Sequence, residues 1–366
     1  MKKIIPIGII VALTMSLLSG CGNKETSTTQ DAVIKESIAT KGNSEQTKET
    51  EVSEEVTAEK STIPEEGLVI RAEATDYLVV AQKTGLFDAE FADENVTLEL
   101  YSFGSGPYQN EAISSDSLDF GSMADQPAIT AIANGYPETI IATRSTSTGT
   151  VFLVVPPDSD INSVQDIIGK DVAVTVGSTM QYVLINMLQA EGYKQDDINV
   201  VNAAGEDALT LVLSNEVDAS VIAGETAAEA INKGTLRGIA NTGDYGIETT
   251  HVVIANNKFL EAHPDVTTRL LKVINESIYY LNENPDESYE WVAEEFQKDY
   301  DSLLVNYAAS KYSLGFTDTN AANLRKVADF LYDERLISEP FSLNSGIDLS
   351  YLVKAGVLEK EVKLPE

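Results

Sequence analysis

The sequence predicts an α/β protein of two lobes, each a mostly parallel sheet flanked by helices, joined by two hinge strands. Three observations carry this expectation. Short apolar runs alternate with helical segments of about ten residues, the pattern of a parallel sheet with helices on both faces. The alternation occurs twice, once before residue 145 and once over residues 151–239. Gly/Ser/Thr-rich stretches at 145–150 and 241–250 bracket the second block and read as flexible crossings into and out of an inserted lobe. With 366 residues, 43% of them apolar, the chain is long enough for two cores.

The amino terminus comes first. Lys2 and Lys3 precede an apolar stretch over residues 4–18, too short for a permanent membrane span and shaped as a secretory signal. It ends in Leu18-Ser19-Gly20-Cys21, which resembles the bacterial lipobox, so residues 1–21 are expected to be a lipoprotein signal and Cys21 the acylated residue. The competing reading is an ordinary signal peptide with an incidental Cys. Residues 22–66 carry 11 acidic and 5 basic residues and very few large apolar ones. Such a segment cannot bury enough surface to offset chain entropy, so it is expected to be a disordered acidic tether.

After Pro64 the elements begin. Strands are expected at 68–70, 96–100, 118–120 and 138–142, with helices at 75–85 and from Gln126-Pro127 to Gly135. In the second block strands are expected at 151–155, 172–176, 198–201 and 219–222. Helices are expected there at 180–191, 206–215 and 225–233. A return strand at 252–255 is followed by a mostly helical remainder from Asp265 on. Lobe 1 is thus expected over 67–148 and 250–366, with lobe 2, residues 149–249, inserted into it.

Several segments then bear on kinship. Val69-Ile70-Arg71-Ala72-Glu73-Ala74 leads into Val80-Ala81-Gln82-Lys83-Thr84-Gly85-Leu86-Phe87. Phe103-Gly104-Ser105-Gly106, Leu118-Asp119-Phe120-Gly121-Ser122 with Pro127, and Ile168-Gly169-Lys170-Asp171-Val172-Ala173-Val174 with Gly177-Ser178-Thr179 follow in order. Together these resemble the solute-binding proteins of ABC importers, in the sulfonate/taurine/nitrate/thiamine-precursor group. The resemblance runs from about residue 68 to 285. It implies a periplasmic-binding-protein-like type II fold, extracytoplasmic and hinge-bending, that hands a small-molecule solute to an ABC permease with its cytoplasmic ATPase.

Ligands of open α/β lobes sit beyond the carboxyl ends of the strands, where helices begin. That rule selects Thr75, Asp76 and Tyr77 after the first strand and Ala124, Asp125 and Gln126 after the third. It also selects Ser178 and Thr179 at the start of the inserted lobe's first long helix. Each hydroxyl serves equally well as a plain helix cap, and Tyr77 as core. Ser105 and Gly106 allow close backbone approach or form an ordinary turn. Arg144 ends the fourth strand and suits a sulfonate or carboxylate, or an ion pair at a hinge. Glu225 follows Ala223-Gly224, where the family often places an acid before Pro; that Pro is absent here. His251 stands at the second hinge as a hydrogen-bonding group or a packed strand residue.

Lys and Arg number 25 against 58 Asp and Glu, a net charge of −33, which opposes nucleic acid and any polybasic membrane surface. With the signal at +2 and the tether at −6, −29 remains on residues 67–366. If two of Asp76, Asp125 and Glu225 face the cleft, the solute is expected to carry an amine or other cationic nitrogen, as a zwitterion such as taurine or a nitrogenous heterocycle like a thiamine precursor does, rather than to be nitrate. A single Cys and two His exclude a disulfide framework and a CxxC…CxxC zinc site. There is no H-E-x-x-H, G-x-S-x-G or Walker motif, and no cofactor or metal is expected. The expected partners are the solute, the permease and, through Cys21, the outer face of the cytoplasmic membrane, with the Lys/Glu/Thr-rich tether resembling Gram-positive usage. A monomer is expected. The alternatives are a surface receptor or adhesin, and a pyrimidine-synthesising enzyme of the same fold.

Overall fold

This computed structural model describes residues 63–364 apart from Glu65, Glu361 and Lys363. All of them belong to the second of two units into which the chain divides, Thr57–Glu366. The signal, Cys21 and nearly all of the tether lie outside the described residues.

The chain opens with β1 (Leu68–Glu73), α1 (Asp76–Lys83), α2 (Leu86–Glu90), β2 (Val96–Tyr101), α3 (Gly106–Ser114), β3 (Phe120–Ala124), α4 (Asp125–Ala133) and β4 (Glu138–Ser147). The local causes are plain. Thr75 caps α1, its Oγ1 accepting from the Leu78 amide at 3.4 Å. Gly85, at φ 75°, turns the chain out of α1. Pro127 sits in the first turn of α4, where its missing N–H costs nothing. All five residues of β3 are buried, and Gly121 is required there because a Cβ would lie 2.8 Å from the Ile254 side chain.

A second block follows: β5 (Val151–Val155), β6 (Asp171–Val174), α5 (Thr179–Ala190), β7 (Asn199–Asn202), α6 (Gly205–Leu213), β8 (Ala219–Ala223), α7 (Gly224–Asn232) and β9 (Arg237–Asn241). The chain returns through β10 (Thr249–Asn256) and α8 (Asn257–Ala262). It ends with α9 (Pro264–Glu283), α10 (Pro285–Phe296), α11 (Tyr300–Ala308), β11 (Ser310–Gly315), α12 (Asp318–Asp333) and two short helical turns.

Two sheets result, in the orders β11-β4-β10-β3-β1-β2 and β7-β6-β8-β5-β9. Each is mixed around a mostly parallel majority, as expected: β10 and β11 in the first and β5 in the second run against the other strands. In the first, β1 pairs parallel with β2 and β3, whereas β10 runs antiparallel between β3 and β4, and β11 antiparallel to β4. In the second, β6 is parallel to β7 and β8, and β5 antiparallel to β8 and β9. Periodicity identifies strands but carries no direction, so the reversed return strand could not be read from it.

The two crossings are also less loose than their composition suggested. β4 runs on to Ser147, and Thr146 and Ser147 pair with Thr250 and Thr249 of β10. The buried Thr242 Oγ1 then accepts from the Gly149 and Thr150 amides at 2.7 and 3.2 Å. Hydroxyls satisfy the backbone here, so Ser and Thr mark a laced crossover. The third strand also lies later than expected, over Phe120–Ala124, because its Gly and Ser interrupt the apolar run that signals a buried strand.

Candidate functional site

Four helices of eight residues or more begin at one cleft of ≈ 310 Å³ between the two sheets. β3 passes into α4 and β8 into α7 with no intervening loop, leaving Ala124 and Ala223 as caps without side-chain hydrogen bonds. Ser105, capping α3, likewise makes no side-chain cap bond. Some first-turn amides are paired locally, Gly224 N–H with the Thr150 carbonyl at 2.8 Å and Gln126 N–H with Asp125 Oδ1 at 2.9 Å, while the positive ends of the helix dipoles still favour an anion. Ser178 does cap α5: its Oγ accepts from the Met180 amide at 3.2 Å and donates to the Thr175 carbonyl at 2.7 Å.

Arg144 is the centre of the cleft. Its Nε–H donates to Ser122 Oγ at 2.6 Å and one terminal nitrogen to Ser145 Oγ at 3.2 Å. The other lies 3.5 Å from His251 Nδ1. An arginine only donates, so Nδ1 accepts and the His251 proton sits on Nε2, which faces Ser147 Oγ at 3.4 Å. Burial, then the Arg144 charge, pushes the His251 pKa down to about 3, so the ring is neutral. The guanidinium carbon lies 5.6 Å from the Tyr77 ring centre and 5.9 Å from that of Tyr312. Behind these rings Tyr289 donates to Asp76 Oδ2 at 3.0 Å, and the Tyr289 and Tyr312 hydroxyls stand 3.3 Å apart. Burial opposes the Arg144 charge, but Asp76 and the surrounding tyrosines raise its pKa above the ordinary value.

The other two cations between residues 68 and 155 are paired, Arg71 with Asp119 at 2.5 Å and Lys83 with Glu295 at 3.8 Å. Among the described residues no carboxylate lies within ion-pair distance of Arg144. The Thr249 hydroxyl, on a residue 3% exposed, lines the cleft without a hydrogen-bond partner, and so does Ser105 Oγ.

The cleft therefore gathers Ser105, Gly106, Ala124, Arg144, Ser178, Thr179, Glu225 and His251 from the sequence-selected residues. Thr75, Asp76, Tyr77 and Asp125 are corrected to positions behind its wall, and Gln126 does not line it. Thr75 is a cap, and Tyr77 is buried beneath the guanidinium. Asp125 is buried with Oδ1 accepting from the Gln126 amide at 2.9 Å, and burial pushes its pKa up to about 7. Gln126 spans the cleft instead, its Nε2 donating to the Gly177 carbonyl at 3.2 Å. Of the acids Asp76, Asp125 and Glu225, only Glu225 lines the cleft, 3.9 Å from Lys298. The premise of two cleft carboxylates among these three fails, because backbone direction at a helix start decides which side chain points inward.

Sequence reasoning missed Ser145, Ser147, Thr150, Thr249 and Tyr312, all of which line the cleft, and placed Ser122, which also lines it, only in a candidate helix start. The run Ser145-Thr146-Ser147-Thr148 was the available signal, read as linker composition. Among the described residues no group of three or more His, Cys, Asp or Glu is placed to hold a metal. No helix among them is long and apolar enough to cross a membrane.

Residues 76–288, more than half of the chain, match the family model described as NMT1/THI5 like. The chain belongs to the NMT1/THI5-like family. A candidate aliphatic sulfonates-binding protein of Bacillus subtilis (strain 168) is 24% identical to this family member over 282 residues, 76% of this chain and 84% of that protein. The taurine-binding periplasmic protein of Escherichia coli (strain K12) is 25% identical over 60% of this chain and 70% of its own. The alkanesulfonate-binding protein SsuA from Xanthomonas axonopodis pv. citri, solved bound to MOPS, superposes with a TM-score of 0.70 at 20% identity. It covers 80% of this chain and 99% of that one. The family member thus has the periplasmic-binding-protein fold. The desulfurization enzyme DSZB shares that fold, with a TM-score of 0.60 at 14% identity over 80% of this chain and 99% of that one.

Proposed function

We propose that the protein is the solute receptor of an ABC importer and that its cleft captures a small organic anion, a sulfonate. The observation that carries this reading is Arg144, a charged guanidinium in a half-buried cleft with no carboxylate in contact, surrounded by hydroxyls and uncapped helix starts. A tetrahedral anion accepts from several such donors at once. The names of the relatives in Bacillus subtilis and Escherichia coli support the same class.

In this reading residues 67–148 with 250–366 form one lobe, residues 149–249 the other, and the paired β4 and β10 carry the hinge. Cys21 bears the lipid, residues 22–66 supply reach, and the receptor works as a monomer on the outer face of the cytoplasmic membrane of a Gram-positive cell. The permease, with its cytoplasmic ATPase, receives the solute. Calorimetry with ethanesulfonate, taurine and nitrate tests the site. Wild type is expected to bind a sulfonate. Arg144→Ala is expected to lose about 2–4 kcal/mol, roughly 30- to 1,000-fold, because it deletes the charge that faces the anion. Failure of wild type to bind any sulfonate refutes the reading. Radiolabelled palmitate incorporated by the native chain and not by Cys21→Ala tests the anchor.

A further inference from the structure

Among the described residues, the ionisable side chains that line the Arg144 cleft are Arg144 itself, Glu225, His251 and Tyr312. Burial holds His251 neutral and raises the Tyr312 pKa, so neither carries charge near neutral pH. Glu225 is therefore the one group there that can oppose an anion. It stands in the first turn of α7, where a carboxylate also consumes part of the positive end of that helix. The first turns of α3 and α5, at the same cleft, carry no acid. Lys298 lies 3.9 Å from Glu225 but lines only an adjoining chamber of ≈ 510 Å³, which shares Glu225 with the cleft.

In net charge Glu225 and Lys298 cancel, which leaves Arg144 as the charge in surplus. A singly charged anion closes that balance. A doubly charged one leaves a negative excess in a half-buried space, where an unbalanced charge is costly. It also meets a carboxylate that can only accept hydrogen bonds, as the anion's own oxygens do. Resting on the anion reading of the Arg144 cleft, we propose that Glu225 is the residue that separates anions by charge, admitting monoanions and turning away dianions such as inorganic sulfate. Coulomb work scales with the charge of the solute, so Glu225 penalises a dianion about twice as much, in free energy, as a monoanion. Specificity here comes from a repulsive element as well as from the attractive Arg144.

The test measures ethanesulfonate by calorimetry and inorganic sulfate by its competition with ethanesulfonate, on the full chain at neutral pH and constant ionic strength. It uses wild type, Glu225→Gln and Lys298→Gln. The readout is the ratio of the two affinities within each protein, in which the ethyl group's contribution and any loosened contact between the lobes cancel. Wild type is expected to prefer ethanesulfonate roughly tenfold or more. Glu225→Gln is expected to tighten ethanesulfonate roughly threefold and sulfate roughly tenfold, so the ratio narrows by about threefold. Lys298→Gln leaves Glu225 unopposed and is expected to widen the ratio by about the same factor. Retained ethanesulfonate binding shows that both variants are folded. Sulfate bound as tightly as ethanesulfonate by wild type, a ratio unmoved by Glu225→Gln, or a ratio that Lys298→Gln does not widen overturns the proposal and leaves the anion site standing. If wild type binds neither compound, the anion reading itself has failed and this proposal goes with it.

Discussion

Arg144 keeps its charge in a half-buried cleft because its compensation comes from behind. Asp76 acts through the Tyr289 and Tyr312 hydroxyls and across two aromatic faces, while Arg144 lines the cleft. Removing that background charge while keeping the hydrogen bond should weaken the site without unfolding it. Asp76→Asn is expected to lose about 1 kcal/mol of ethanesulfonate affinity, a several-fold rise in Kd, with an unchanged thermal midpoint for the free protein. Arg144 was legible in the sequence as one of three cations in a long acidic stretch. Asp76 was singled out for the wrong role, because an acid one position past a helix cap looks the same whether it faces solute or core. Glu138 is a different residue-scale case: it is 2% exposed, and neither carboxylate oxygen has a hydrogen-bond partner. Burial raises its pKa from the ordinary 4.5 to about 8. The folded state therefore holds a proton that the unfolded chain releases above about pH 4.5, so stability from this group falls as pH rises toward 8. Glu138→Gln is expected to leave stability near pH 5 little changed and to recover roughly 2–4 kcal/mol at pH 8, read by denaturant unfolding.

At the scale of elements, the site is a meeting of helix starts, and one of them depends on close approach. Gly106 opens α3 against the ring of Pro127 in α4, where a Cβ would lie 2.6 Å from Pro127 Cγ. The proline ring cannot swing aside as a long side chain can. Gly106→Ala is expected to cost about 1–3 kcal/mol by overpacking, seen as a lower thermal midpoint together with weaker sulfonate binding. Most helices and strands were legible because their apolar spacing is local. β11 and α11 were not: the alternating polar and apolar residues of Ser310–Gly315 fall inside a helical region, and the strand exists because the edge of β4 is available to it. The crossings read as flexible for the same reason. Composition reports which residues are present, while the pairing of β4 with β10 depends on two segments a hundred residues apart.

The sequence carries a net charge of −33, and among the described residues Arg144 gives the cleft a cationic centre. The excess negative charge repels an approaching sulfonate over a distance of about a Debye length, and salt screens that field more than it screens the enclosed Arg144. The association rate of ethanesulfonate, followed by stopped flow, is therefore expected to rise as sodium chloride goes from about 20 to about 200 mM. A fall in rate would mean that the local field of the cleft dominates. The two halves already touch across the cleft through Gln126 and Gly177, Glu225 and Lys298, and the edge-to-face pair of Tyr182 and Phe330 at 4.9 Å. None of these pairs is adjacent in sequence. By itself the sequence determined an α/β protein built twice over, a family, and a rare arginine at a strand end, because all of these are written in local spacing and residue type. Only the tertiary structure decided which acids line the cleft, which strands are reversed, and that Glu138 is buried without a hydrogen-bond partner, because burial and strand direction arise from contacts between distant parts of the chain.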